Sequence, residues 1–275
     1  MIVALLMLVG GVAVGVFGSL LGLGGGLLIV PLLTLGFHLP LREAIGVSLV
    51  CVIVTSGASA GVFLERRVAN LRLGMVLELF TAIGAVFGGL MAFLLDERVL
   101  AGLFSALLIY VAVSMLRARS TAPVGAPRAI ATDVVGPRGE GFIAGLAGPD
   151  YPVHRLGPGL LGSVVAGIAS ALLGIGGGLV KVPVMHMVMG VPLRVATATS
   201  NLMIGITAST SAWIYLLRGG IDPYAVGPTA VGVFIGASIG SRLAHRVDVR
   251  ALRLLFTAVL LYTAYQMIRR AAGLQ

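Results

Sequence analysis

The chain has 275 residues, of which 58% are apolar, aromatic or cysteine and only 11% are charged, and its mean hydropathy is +1.08. A soluble domain carries about 25% charged residues, so a water-soluble globule is excluded and the chain reads as an integral membrane protein. The net charge of +9 comes from cations placed between apolar blocks, without a basic run or interleaved aromatics, which fits membrane-flanking charge and excludes nucleic acid as a partner.

Residues 2–36 form one apolar stretch, interrupted by Gly22-Leu23-Gly24-Gly25-Gly26. No basic segment precedes it, so it is not read as a cleaved signal peptide. The run is solidly apolar, which favours helices over the alternating segments of a membrane barrel. Helices are predicted over 41–64, 71–95 and 99–117. Residues 118–156 hold Pro123, Pro127, Pro137, Pro149 and Pro152 among glycines and charges, and read as a solvated linker. The order then recurs: a stretch over about 157–189 broken by Gly174-Ile175-Gly176-Gly177-Gly178, then helices over 193–216, 223–246 and 251–269. Asp222 before Pro223 is a helix start, a cap followed by proline at the first helical position.

Sliding the sequence by 152 positions superposes the two glycine clusters and matches Pro31 with Pro183, Pro40 with Pro192, Arg42 with Arg194, Ser48 with Ser200, Thr55 with Thr207, Gly84 with Gly236 and Gly88 with Gly240. The chain is therefore a tandem duplication: repeat 1 over residues 1–117, the linker over 118–156, and repeat 2 over 157–275. The 35 residues of the first stretch would extend ~52 Å as one helix, too long for one straight crossing. Either it crosses and adds a half-helix, giving four crossings per copy, or it folds back as a hairpin, leaving three. An even count makes the copies parallel and splits the loop cations 11 to 7, with Lys181 set aside; an odd count inverts them and splits the cations 13 to 5. The positive-inside rule favours inversion, with the linker cytoplasmic and both termini outside. The expected fold class is an all-α polytopic membrane protein of two inverted repeats, each a glycine-rich broken hairpin plus three transmembrane helices.

In that arrangement the two glycine clusters face each other in mid-membrane. Irregular backbone at that depth is tolerated only beside a cavity or inside protein, and repeat interfaces with broken helices are where secondary transporters place substrates. Helix starts at the clusters would offer backbone N–H groups and partial positive charge to an anion, and glycine lets a ligand approach the backbone. The alternative is close helix packing, the role assigned to Gly84, Gly88, Gly236 and Gly240. The clusters are not nucleotide loops, because Leu27 and Leu179 stand where the dinucleotide motif needs its last glycine.

The motif of Gly22, Gly24, Gly25 and Gly26 with Pro31, Pro40, Ala44 and Ser48, and its counterpart of Gly174, Gly176, Gly177 and Gly178 with Lys181, Pro183, Pro192, Ala196, Thr199, Ser200 and Asn201, resembles the sulfite exporter TauE/SafE family. The resemblance covers nearly the whole chain outside the linker. It implies a polytopic transporter of the bacterial plasma membrane that moves small anions such as sulfite or organosulfonates.

The glycines of both clusters, Lys181, Ser48, Ser200 and Asn201 are the candidate substrate-binding residues. Lys181 adds positive charge at the second cluster, or snorkels to the interface; its counterpart is Ile29. Ser48, Thr55, Thr199, Ser200 and Asn201 offer hydrogen bonds to oxyanion oxygens, although Ser and Thr in membrane helices also bond their own backbone. Glu78, whose counterpart is Ala230, is a candidate for proton coupling, or a charge in a cytoplasmic vestibule or paired with an arginine. His186 reads as interfacial, Trp213 as an interface or core aromatic, and Cys51 as packing that permits neither a disulfide nor a cysteine-based metal cluster. No cofactor or metal is expected. Gly57, Ser59 and Gly61 match the G-x-S-x-G signature of a serine nucleophile, but Ser209-Thr210-Ser211 at the matching place suits a packing face better. A passive anion channel, or an importer of another sulfur oxyanion, is the nearer rival. The expected partners are the anion and the lipid bilayer; a homo-oligomer is compatible with the sequence.

Overall fold

The computed structural model describes residues 2–21, 26–65, 69–117, 151, 153–243 and 249–273. Ten α-helices follow in order: α1 (Ile2–Leu21), α2 (Gly26–Pro31), α3 (Leu41–Glu65), α4 (Leu71–Leu94), α5 (Glu97–Arg117), α6 (Leu156–Leu173), α7 (Gly178–Pro183), α8 (Leu193–Leu217), α9 (Pro223–Leu243) and α10 (Val249–Ala271). The described residues are helical and loop throughout, apart from a single bridge residue at Tyr151. Five of the helices, α1, α4, α5, α6 and α9, are long and apolar enough to cross a membrane. Large apolar side chains also cover their outer faces: Leu5, Met75, Leu79 and Leu161 are all exposed. Helices apolar on every side are stable only where hydrocarbon replaces water.

Proline shapes both short helices. Pro31 and Pro183 end α2 and α7, and each is followed by one π-helical turn, Leu32–Gly36 and Val184–Val188. Proline has no N–H and its ring pushes against the preceding turn, so the chain beyond it widens to longer-range bonds. The two exits match, with Leu39 donating to Leu33 O at 3.1 Å and Val191 to Met185 O at 2.9 Å. Asp222 caps α9 as expected, accepting from Tyr224 N at 2.9 Å, and Pro223 is the first helical residue.

The second apolar stretch folds back at its glycines, and in the first α2 returns along α1. Along the second hairpin, a Cβ at Gly159 would touch Met189, one at Gly162 would touch Val184, and one at Gly177 would lie 3.1 Å from Ala166 O. In the first, a Cβ at Gly10 would lie 3.1 Å from Leu32. In both copies the short helix thus returns along the long helix before it.

The helices exchange partners between copies. Helix α1 packs on α9, and α6 packs on α4, while α3 pairs with α8 and α5 with α10. The α1–α9 and α4–α6 contacts are made backbone to backbone through small residues: a Cβ on Gly84 would strike Val164 O, one on Gly236 would strike Val12 O, and one on Gly88 would lie 2.6 Å from Ile168 O. Helix association in lipid has no hydrophobic drive and depends on such close approach. The expected packing role of these four glycines is met, although Gly240 meets the Ser19 hydroxyl as well as α1 backbone. Helices α3 and α8 run antiparallel. Gly46 near the start of α3 abuts Gly220 just past the end of α8, Ser56 Oγ farther along α3 donates to Asn201 O at 2.6 Å, and Asn70 N beyond α3 donates to Thr199 Oγ1 at 2.9 Å. Helices α5 and α10 are likewise opposed, with Gly273 after α10 beside Arg98 at the start of α5.

Replacing Gly84 or Gly236 by Val should remove roughly 1–3 kcal/mol, the usual effect of overpacking, read as a lower unfolding midpoint in detergent. Gly102→Ala is the control, since nothing lies within 4 Å of a Cβ there; it should be neutral or stabilising by about 0.4–1 kcal/mol.

Candidate functional site

The site begins where α6 ends. Gly174 closes α6 in the left-handed region (φ 68°) and donates to Ser170 O at 2.8 Å; Gly176 and Gly177 continue in that region at φ 74° and 77°, so three residues turn the chain by conformations that side chains disfavour. Helix α7 then starts at Gly178. Gly26, the first residue of α2, lies against this turn: a Cβ there would come within 3.1 Å of Gly174 O. Ser48 Oγ of α3 sits between the two, 2.8 Å from Gly174 O and 3.1 Å from Gly26 O. The hydroxyl therefore joins the elbows of the two copies. Gly22, Gly24 and Gly25 lie outside the described residues.

Three helices bring a charged triad together one turn into α7. Lys181 Nζ lies 2.8 Å from Glu78 Oε2, an ion pair between the second copy's short helix and the first copy's α4. Thr207 of α8 lies between them, within 2.5 Å of Lys181 Nζ and 2.6 Å of Glu78 Oε1, and also 3.1 Å from its own helix's Met203 O. Lys181 is 2% exposed, Glu78 5% and Thr207 0%, so the attraction acts with little screening. The snorkelling alternative for Lys181 is overturned, because its ammonium is turned inward to a carboxylate. Glu78 is in an ion pair, and its partner is a lysine instead of the expected arginine.

The other sequence candidates divide. Ser200, the counterpart of Ser48, is buried and its Oγ has no hydrogen-bond partner among the described residues; it lies 3.5 Å from the place a Cβ would take on Gly178. The Ser170 hydroxyl on α6, which the sequence reading missed, is also buried without a partner, and its Cβ lies 3.3 Å from the Cβ place of Gly177. Asn201 is half-buried on α8, and its backbone carbonyl accepts from Ser56. Thr199 serves the start of α4, where Asn70 also accepts from Leu73 N at 3.1 Å. Thr55 bonds the carbonyls of Cys51 and Val52 in its own helix. Trp213 is exposed on the outer surface and so is no core residue, and His186 Nδ1 rests 2.9 Å from Val191 O. Residues 57–61 lie inside the uninterrupted helix α3, without the sharp strand-to-helix turn that a nucleophile elbow needs. No metal-binding group of three or more His, Cys, Asp or Glu occurs among the described residues.

Outside the membrane-length helices, Tyr151 Oη accepts from Asn70 Nδ2 at 2.9 Å, and partial burial pushes this phenol above its ordinary value while the Asn70 bond draws it back. His154 N donates to Met189 O at 3.0 Å. These contacts fasten Tyr151 to the start of α4 and His154 to the end of the second hairpin. An apolar cleft of about 430 Å³ between α1, α2 and α10, lined by Phe17, Leu28 and Phe256, holds no charged group and lies apart from the triad.

Comparison with known proteins follows the same geometry. Residues 7–267 match the family model described as sulfite exporter TauE/SafE. The chain is 24% identical to the "probable membrane transporter protein YunE" of Bacillus subtilis over 94% of each chain. It is 26% identical to a "probable membrane transporter protein" of Methanocaldococcus jannaschii over 93% of this chain and 91% of the other. A "sulfite exporter TauE/SafE family protein 3" of Arabidopsis thaliana is 30% identical over 36% of this chain and 21% of its own length. No solved structure matches.

Lys181→Met alone should destabilise by about 3–5 kcal/mol, because it strands a buried carboxylate, whereas Lys181→Met with Glu78→Met should recover most of that loss. A double-mutant cycle of unfolding midpoints in detergent checks this. Ser48→Ala should cost about 1–3 kcal/mol by removing the one hydroxyl proton that the Gly174 and Gly26 carbonyls share.

Proposed function

The chain belongs to the sulfite exporter TauE/SafE family, and from that premise we propose that it exports small anions, sulfite or organosulfonates, by alternating access at a site between its two glycine-rich hairpins. The observation that carries this reading is the meeting of the two elbows through Ser48, beside two buried hydroxyls, Ser170 and Ser200, that have no partner among the described residues. Buried donors are nearly always satisfied, and an oxyanion has acceptor atoms for both. Gly174, Gly176, Gly177 and Gly178 bring bare backbone to the same place, and Gly22, Gly24, Gly25 and Gly26 would do so from the first copy. Asn201 lines the approach on α8. Of the matched serines, Ser48 serves as the tie between the elbows and Ser200 as the ligand donor.

The antiparallel pairing of α3 with α8 and of α5 with α10 supports inverted repeats. In that arrangement the linker lies in the cytoplasm of a bacterial plasma membrane and both termini lie outside. Two hairpins entering from opposite faces give each face its own gate, and rocking one copy against the other would open them in turn. The membrane potential acts on whatever net charge the load carries, by about 2.3 kcal/mol per charge per 100 mV.

Purified protein in liposomes should move sulfite or a sulfonate, with sulfate, thiosulfate and carboxylates as the comparison panel. Counter-anion on the far side should accelerate the flux, as a carrier requires; a flux indifferent to it marks a passive channel. Ser170→Ala and Ser200→Ala should each lower the flux about tenfold or more, the equivalent of one hydrogen bond to a charged group, with the unfolding midpoint retained. No movement of any of these anions by folded protein contradicts the reading.

A further inference from the structure

We propose that an anion enters the place beside Lys181 only together with a proton on Glu78, so that the chain moves anion and proton as one load. This rests on the anion-transport reading above and adds the coupling ion to it. The argument is one of charge balance in a buried space. With no anion bound, the ammonium of Lys181 and the carboxylate of Glu78 neutralise each other at 2.8 Å, deep among apolar helices. An anion arriving alone would bring a second negative charge against Glu78, and two anionic groups at one buried site strongly oppose each other. A proton from water forming the O–H of the Glu78 carboxyl removes that opposition. Lys181 then neutralises the incoming anion in place of the carboxylate, and the load of the triad stays balanced in both states. On release at the opposite face the O–H breaks and the proton returns to water with the anion.

The surroundings are built for such an exchange. Thr207 has one proton, shared between Glu78 Oε1 at 2.6 Å and Met203 O at 3.1 Å. When Glu78 acquires its own proton it can donate to Thr207 Oγ1, and Thr207 turns its proton to Met203, so no donor is stranded. A Cβ at Gly177 would already lie 3.1 Å from Ala166 O, 3.3 Å from Ser170 Cβ and 3.5 Å from Lys181 Cε, so the anion reaches Lys181 only as the turn between α6 and α7 moves away from α6. The unpartnered hydroxyls of Ser170 and Ser200 flank that turn.

Few other charges compete. Against α4, helix α6 presents no titratable residue between Leu156 and Leu173. Helix α8 carries only Arg194 in its first turn and Tyr215 near its end, and the Tyr215 hydroxyl is spent on Ala171 O at 3.0 Å. Helix α7 supplies Lys181, with His186 in the π-turn beyond it resting on Val191 O. Helix α4 itself adds Arg72 in its first turn, before Glu78.

The test uses methanesulfonate, which holds no proton of its own in the working range. In liposomes bearing an interior pH dye, an imposed methanesulfonate gradient should drive proton movement in the same direction, and the flux should be indifferent to an imposed voltage. Anion flux without proton movement overturns the proposal, while leaving the transport reading intact; absence of any anion flux overturns both. Glu78→Gln mimics the protonated acid. Methanesulfonate affinity in detergent should fall about tenfold per pH unit for the native chain above the titration of Glu78 and be pH-independent in Glu78→Gln, whose transport should become voltage-dependent. Affinity that keeps its pH dependence in Glu78→Gln contradicts the proposal. Should that variant fail to fold, the native proton-flux measurement decides alone.

Discussion

Hydrocarbon gives an unpaired backbone group nothing to bond, so a helix broken at membrane depth must turn its free groups onto protein or into a polar cavity. The architecture of this chain answers that constraint twice in one place. Gly174 ends α6 and Gly26 begins α2, and a single hydroxyl from Ser48 reaches both carbonyls. The elbows thus complete each other, and the exchange of partners between copies holds them there: α1 leans on α9 and α6 on α4 through glycine stripes that admit no side chain.

Duplication supplies the frame and divergence supplies the chemistry. Where the second copy has Lys181 the first has a fully buried Ile29, and where the first has Glu78 the second has Ala230. Thr207 joins the two charges, while its counterpart Thr55 bonds its own helix. One of two related positions has therefore become ionic and the other has stayed apolar. A buried pair of this kind stabilises little beyond what apolar packing would, yet losing one partner is severe. That combination suits a site whose charges must be rearranged during work.

Much of this is legible in the sequence. The solid apolar runs, the 152-residue repeat and the doubled glycine clusters give helix limits that agree with the structure to a few residues. What periodicity does not reveal is which long-range partners meet. Lys181 and Glu78 lie 103 positions apart in unmatched segments, and read singly each had a different role. Their shared signal was that each is a charge without a counterpart in the other copy. Ser170 left no trace because a serine in a small-residue helix looks like packing until its missing partner is seen. Ser48 and Ser200 occupy equivalent positions in the sequence and become different only when the bonds around each elbow are drawn.

The central claim is that the two copies are opposed across the membrane, so that their elbows meet from opposite faces. Single cysteines placed at positions 42 and 194 in a Cys51→Ala background, labelled in membranes of known orientation with an impermeant maleimide, test it most directly. Opposite accessibility of the two positions is the result this account predicts; accessibility from the same face would contradict it.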